Sequence, residues 1–277
     1  MIMNKYDKLK SIISEYETAV VAFSGGVDST FLLKAAHDAL KERAVAFIAR
    51  FCFVPEKEYE EAVAFAESLG IKCMTVEPEV TNDTDIMSNP VDRCYICKKK
   101  LFGRFTELAK ELGINVVIEG SNLDDTGDYR PGMKALSELG IKSPLIEAGF
   151  TKQEIRDCSK QLALPTWSKP SAACLASRIP YGEQITESKL RMVETAEDYL
   201  HSLGFTQLRV RLHGGNLARI ELLPDEVDRF MSTEIRSAVY DKLKLIGFTY
   251  ITVDIHGFKS GSLNETIKEK DSSLRSE

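Results

Sequence analysis

Residues 19–30 read AVVAFSGGVDST: a short apolar run, then two glycines fenced by Ser24, Asp28 and Ser29. An apolar run of this length closed by a Gly-Gly turn predicts a buried strand, and Phe31, Leu32, Ala35, Ala36 and Leu40 predict the inner face of a helix over about 28–41. Glycine adopts backbone angles closed to other residues and has no side chain to hold a ligand off. Gly25 and Gly26 can therefore aim successive N–H groups at an anion, with the positive end of the following helix behind them. Ser24 and Ser29 add hydroxyl donors. Asp28 is not a donor; it suits a Mg²⁺ that neutralises phosphates, or a role in fixing the loop. The bland alternative is an ordinary strand–turn–helix junction, against which the complete Ser-Gly-Gly-Val-Asp-Ser set argues. No Gly-Lys-Ser/Thr follows, which excludes a Walker A loop.

Outward from this turn the pattern alternates. A helix is expected over 5–16, strands at 44–50, 72–76 and 115–120, and helices at 56–69 and 92–112. Strands alternating with helices imply βαβ units and a parallel sheet whose ligands bind at the carboxyl ends of the strands. The rhythm then changes. Residues 121–134 are expected to form a polar loop, 151–163 a helix with Thr151 and Glu154 at capping-box spacing, and 164–184 a second long loop. A helix from about Thr186, strand-like runs at 207–214, 217–223 and 250–258, and a helix over about 225–245 suggest a small α+β domain. The expected division is 1–180, 181–265 and a polar tail at 266–277.

The chain has 277 residues, 43% apolar and 28% charged, with net charge −6, an ordinary globular balance that gives no general attraction to nucleic acid. No window approaches the roughly 20 apolar residues of a membrane span. The first residues carry no apolar signal core, so a cytoplasmic location is expected. Six cysteines in such a chain point to metal or thiol chemistry rather than disulfides. Cys94 and Cys97 form a C-x-x-C at a helix N-terminus followed by Lys98, Lys99 and Lys100, a setting that favours thiolates. Cys174, in SAACLASR, is the candidate third thiolate; three could hold a 4Fe–4S cluster with one iron open, or a zinc with one exchangeable position. Cys52, Cys73 and Cys158 are expected to be packing residues.

The Gly-Gly turn resembles the loop of the N-type ATP pyrophosphatases, which implies cleavage of ATP between its α- and β-phosphates and transfer of AMP to a substrate oxygen. Nearly the whole chain resembles the LarE family of ATP-dependent sulfur transferases, which thiolate pyridinium-3,5-biscarboxylic acid mononucleotide on the way to the nickel-pincer nucleotide. The resemblance rests on AFSGGVDS, on DYRPGMKALSE at 128–138, SRIPYG at 177–182, LRVRLHG at 208–214 and ARIEL at 218–222. It implies an adenine nucleotide alpha hydrolase-like α/β domain with a smaller C-terminal domain, adenylation of a carboxylate, and a homo-oligomer built from trimers. Some members give up the sulfur of one cysteine before SR-x-PYG; others hold a 4Fe–4S cluster through three. Here the sacrificial position falls on Ala173, one residue before Cys174, which favours the cluster.

Arg209 and Arg211 alternate along a strand and so share one face, where two guanidinium groups suit a phosphate; solvated arginines are the alternative. Arg130 and Arg178 have the same candidate role. Glu197 and Glu221 match acidic positions of the family and are candidates for a second divalent cation, with surface carboxylates the alternative. His213 and His256 are not read as ligands. A tRNA-thiolating enzyme and a non-catalytic nucleotide- and cluster-binding redox sensor are competing readings.

Overall fold

The computed structural model describes residues 2–80, 82–127, 131–170, 173–259 and 262. In chain order, the first elements are α1 (Ile2–Ser14), β1 (Ala19–Ala22), α2 (Val27–Leu40), β2 (Ala44–Ala49), α3 (Glu56–Ser68), β3 (Cys73–Val76), α4 (Thr84–Met87), α5 (Arg93–Glu111) and β4 (Val116–Ile118). They continue with α6 (Pro131–Glu138), α7 (Pro144–Ala148), α8 (Lys152–Gln161), α9 (Glu187–Ser202), β5 (Leu208–His213) and β6 (Leu217–Leu222). The last are α10 (Val227–Phe230), α11 (Thr233–Ile246) and β7 (Tyr250–Val253). Chain contacts gather these into two units, one of residues 1–80 and 92–172, the other of 81–91 and 173–277.

The first unit is built on a parallel sheet of order β3-β2-β1-β4. Side chains of β1 and β2 alternate between two apolar layers, as a strand covered on both faces requires. Ala19, Val21, Ala46 and Ile48 join Phe31, Leu32 and Phe150 in one layer, while Val20, Val45 and Phe47 join Phe102 and Phe105 in the other. Edge-on ring contacts hold both layers, Phe31 to Phe150 at 5.2 Å and Phe47 to Phe105 at 5.5 Å between centroids. Each fully buried ring contributes about 1.5–3 kcal/mol of transfer free energy. From β1 the chain winds outward to β2 and β3 on one side and crosses to β4 on the other. The crevice of an open α/β sheet lies at that reversal, at the carboxyl ends of β1 and β4.

The expected loop at 121–134 is shorter than its composition suggests. A 3₁₀ turn covers Leu123–Gly127 and α6 starts at Pro131, where a fixed φ and a missing N–H suit a first helical turn. Beyond α6, Lys142 bridges Ile118 in parallel and extends the sheet by one residue. The α8 capping box is present, with Glu154 N–H donating to Thr151 Oγ1 (3.3 Å) and Thr151 N–H to Glu154 Oε2 (3.0 Å).

In the second unit β5 and β6 pair antiparallel and β6 and β7 parallel. Ala218, Ile220 and Leu222 are buried on one face of β6. The other face carries Arg209 and Arg211 opposite Glu221 and Arg219. The single helix expected over 225–245 is broken: a 3₁₀ turn at Pro224–Glu226 and the short α10 precede α11, with Ser232 extended between them (φ −55°, ψ 144°). The strand expected to reach 258 stops at Val253; Asp254 accepts the His256 N–H (2.8 Å), and Gly257 takes φ 78°. Residues 81–91 fasten to this unit through Asn89, whose amide donates to the carbonyls of Ile179 (3.1 Å) and Pro180 (2.7 Å).

Candidate active site

The glycine turn stands at the carboxyl end of β1, between β1 and α2. Gly25 has φ 71°, in the region that favours glycine, and a Cβ there would come within 3.1 Å of Ala62 Cβ. Gly26 is the N-cap of α2 and offers no side chain to its first N–H groups, so these orphan donors stay available to an anion. The two serines are linked: Ser24 N–H donates to Ser29 Oγ (3.3 Å), the hydroxyls lie 3.1 Å apart, and Ser29 Oγ donates to Gly26 O (3.1 Å). At the end of β4, Gly120 backs onto this loop; a Cβ there would lie 3.1 Å from Ser29 N.

Asp28 was expected to hold Mg²⁺ or fix the loop, and its carboxylate is ion-paired with Lys152, the first residue of α8. Asn122 Nδ2 reaches its other oxygen at 3.4 Å. Lys152 is in turn placed by Asp124, which accepts its backbone N–H (2.9 Å). A second lysine, Lys169, donates to Gly25 O (3.3 Å) and Glu61 (3.0 Å). Sequence reading missed both lysines. Lys152 lies 124 residues from its partner, and only a lysine at a predicted helix start beside the sheet's carboxyl edge could have signalled it. A glycine turn, an uncapped helix start and a lysine together form a seat for a polyphosphate, and a carboxylate beside them is suited to its metal counter-ion.

Cys94 and Cys97 lie three residues apart within the first five residues of α5, on one helix face and partly buried. Of the lysines after them, Lys99 is tied to Glu138 (2.8 Å) and Tyr95 Oη (2.9 Å), and the stem of Lys98 lies against Gly132. Cys174, in the second unit, is exposed at the start of a 3₁₀ turn, Leu175–Arg178. Among the described residues no three His, Cys, Asp or Glu side chains gather as a metal site. Cys158 is a packing residue, its thiol pushed up to about 11 by burial. Cys73 packs beside the same apolar layer, and Cys52 is partly buried.

The arginines and glutamates of the second unit form one network. Arg178 makes a bidentate pair with Glu197 (2.9 and 2.8 Å), and Glu197 also accepts Val210 N–H (2.9 Å). Arg211 makes the same fork on Glu221 (3.1 and 2.9 Å), and Arg219 reaches Glu221 at 3.2 Å. Glu197 and Glu221 are therefore buried partners of arginines, not surface carboxylates, and Arg211 is not a solvated strand arginine. A buried carboxylate is tolerable only with a partner of this kind. Arg209 lies over Phe258 (5.2 Å) and donates to Leu208 O (2.7 Å). Burial first, then the neighbouring Arg178, push its guanidinium down to about 10. His213 Nε2 accepts from Arg219 Nε (3.1 Å), and burial with Arg219 lowers its pKa. Arg130 lies outside the described residues.

A family model described as NAD synthase matches residues 1–98, the part holding β1, the glycine turn and α2. An uncharacterized Synechocystis protein is 42% identical over 96% of this chain and 99% of its own. One subunit of a glutamine-hydrolyzing GMP synthase from Methanocaldococcus jannaschii is 26% identical over 69% of this chain and 64% of its own length. The pyridinium-3,5-bisthiocarboxylic acid mononucleotide synthase of Lactiplantibacillus plantarum is 36% identical over 96% of both chains. With the nucleotide turn at the sheet's switch point and that likeness running from α1 through the arginine–glutamate network, the chain belongs to the LarE family of pyridinium-3,5-bisthiocarboxylic acid mononucleotide synthases, enzymes of the PP-loop ATPase class.

Proposed function

We propose that this chain is an ATP-dependent sulfurtransferase that adenylates a carboxylate of pyridinium-3,5-biscarboxylic acid mononucleotide and replaces one of its oxygens by sulfur, in the making of the nickel-pincer nucleotide. The observation that carries the reading is the glycine turn closed by the Asp28–Lys152 pair, in a chain so similar to the Lactiplantibacillus synthase. Backbone N–H groups at Gly25, Gly26 and the start of α2 receive the β- and γ-phosphates, with Ser24 and Ser29 hydroxyls beside them. Asp28 would hold the Mg²⁺ that neutralises phosphate charge, and Lys152 would turn from Asp28 to the phosphates.

A carboxylate is a poor electrophile because both oxygens share its charge. A substrate carboxylate oxygen attacks the α-phosphorus, the α–β bond breaks, and pyrophosphate leaves. A sulfur nucleophile then attacks the acyl carbon, and AMP departs with the former carboxylate oxygen, leaving a thiocarboxylate. Cys94, Cys97 and Cys174 are proposed as ligands of a 4Fe–4S cluster, supported by the pairing of two thiols on one helix face and by the shift of Cys174 from the sacrificial position. When bound, the cluster supplies an exchangeable sulfide. The face carrying Arg209 and Arg211 is proposed to take the substrate phosphate through Arg209, Arg211 being held on Glu221, and Glu197 and Glu221 remain candidates for a cation only where Arg178 and Arg211 release them. A cytoplasmic, trimer-based homo-oligomer completes the proposal; no helix of the described residues is long and apolar enough to cross a membrane.

The test is anaerobic reconstitution with iron and sulfide, followed by optical spectra of wild type and Cys94→Ala, and by pyrophosphate release with and without the pyridinium dicarboxylate. Charge-transfer absorption in wild type only, with release that depends on the dicarboxylate, is expected. No cluster, with a mass loss of one H₂S per chain after turnover, would mean that Cys174 is sacrificed.

A further inference from the structure

Arg178 was expected to bind phosphate, and its contacts point elsewhere. The edge of its guanidinium that would form a bidentate pair with an anion is taken by Glu197. Its remaining nitrogen, Nη1, faces the cysteine turn, donating to the carbonyls of Ala173 (2.5 Å) and Cys174 (3.1 Å) and to Ser177 Oγ (3.0 Å). Arg211 holds a carbonyl at the far end of the turn, Ser177 O, at 2.7 Å, while its own fork rests on Glu221. Both glutamates are anchored a second time, Glu197 by Val210 N–H of β5 and Glu221 by Ser262 Oγ (2.8 Å). The turn itself is a four-residue 3₁₀ segment, whose own hydrogen bonds are weak. Leu175 and Ala176 are buried while Cys174 stands exposed beside them.

We propose that Arg178 and Arg211, each braced by its buried glutamate, are positioning residues that grip the Cys174 turn by its carbonyl oxygens and thereby set where the Cys174 sulfur stands. A charged donor on a carbonyl is a stronger tie than a neutral one, and ties at both ends of the turn fix its place and its tilt. These ties are to backbone oxygens and not to the thiol, which suits a sulfur that must exchange ligands. This inference rests on the reading that Cys174 handles sulfur, but its first readout does not.

Hydrogen exchange and sulfur transfer would be measured in wild type, Arg178→Lys and Glu197→Gln; the second variant stands in if the first does not fold. Exchange of amides 175–179 is expected to rise about tenfold or more in either variant, with β6 amides and the β5 amides other than Val210, which donates to Glu197 itself, unchanged. Sulfur transfer is expected to lose about tenfold or more in kcat with KM for ATP and for the pyridinium substrate unchanged. Unaltered exchange in the turn, or a general rise across β6 and the β5 amides other than Val210, overturns the proposal. So does a raised substrate KM at constant kcat, which would make Arg178 a phosphate ligand. If wild type transfers no sulfur, the functional reading fails, and the exchange result still decides the grip.

Discussion

On the proposed function two cations have a claim on the Asp28 carboxylate: Lys152, which holds it in this structure, and the Mg²⁺ that accompanies ATP. Removing the lysine frees the carboxylate but deprives the phosphates of a charge-assisted donor, worth about 1.5–3 kcal/mol. Lys152→Ala should therefore lower kcat/KM for ATP by roughly 10- to 100-fold, read as pyrophosphate release at saturating substrate. Gly120 is a second single-residue control point. A methyl group there meets the backbone nitrogen of Ser29, which cannot swing aside as a long side chain would. Gly120→Ala should cost about 1–3 kcal/mol by chemical denaturation and weaken ATP binding measured by calorimetry. Neither residue announces itself in sequence. The Ser-Gly-Gly set was legible because its chemistry is local, whereas Lys152 and Gly120 matter only through contacts made across the sheet edge. Glu197 and Glu221 were hard to place for the same reason: a charged residue in a strand or helix reads as surface until its arginine is known.

Among elements, α8 links stability to the site, because its first residue is Lys152 and its cap is Thr151. Thr151→Ala should destabilise the protein by about 1 kcal/mol, with Thr151→Ser nearly neutral, as read from urea midpoints. The cap is also pH-sensitive. Lys5, and then the Thr151 N–H, hold the Glu154 carboxyl below its ordinary value. Its folded pKa is depressed, so its stabilising contribution is present above the ordinary carboxylate range and is lost as pH falls through the depressed value. Glu154→Gln should flatten the acid limb of the stability–pH curve while lowering the neutral plateau. The capping box was legible because four residues contain it. The break between α10 and α11 was not: DEVDRFMSTEIRS keeps apolar residues at near-helical spacing across Ser232, and only the extended backbone there shows the stop.

For the whole molecule, the alternation of strands and helices foretold the parallel sheet, since β1 and β2 are apolar on both faces and can lie only inside two layers. Sequence alone did not show that residues 81–91 leave the first unit to join the second, because Asn89 makes its ties to residues about ninety positions later. Sedimentation velocity at micromolar concentration should find a trimer or a multiple of it; a monomer would remove that expectation.

The salt link between Asp28 and Lys152 has a consequence for the end of each cycle. An empty anion seat lined only by cations would cling to pyrophosphate, the most highly charged product. On the proposed function the lysine would have a carboxylate to return to as pyrophosphate departs, so that the departing anion would not strand a positive charge. A vacated nest that restores its own neutrality would let go more readily.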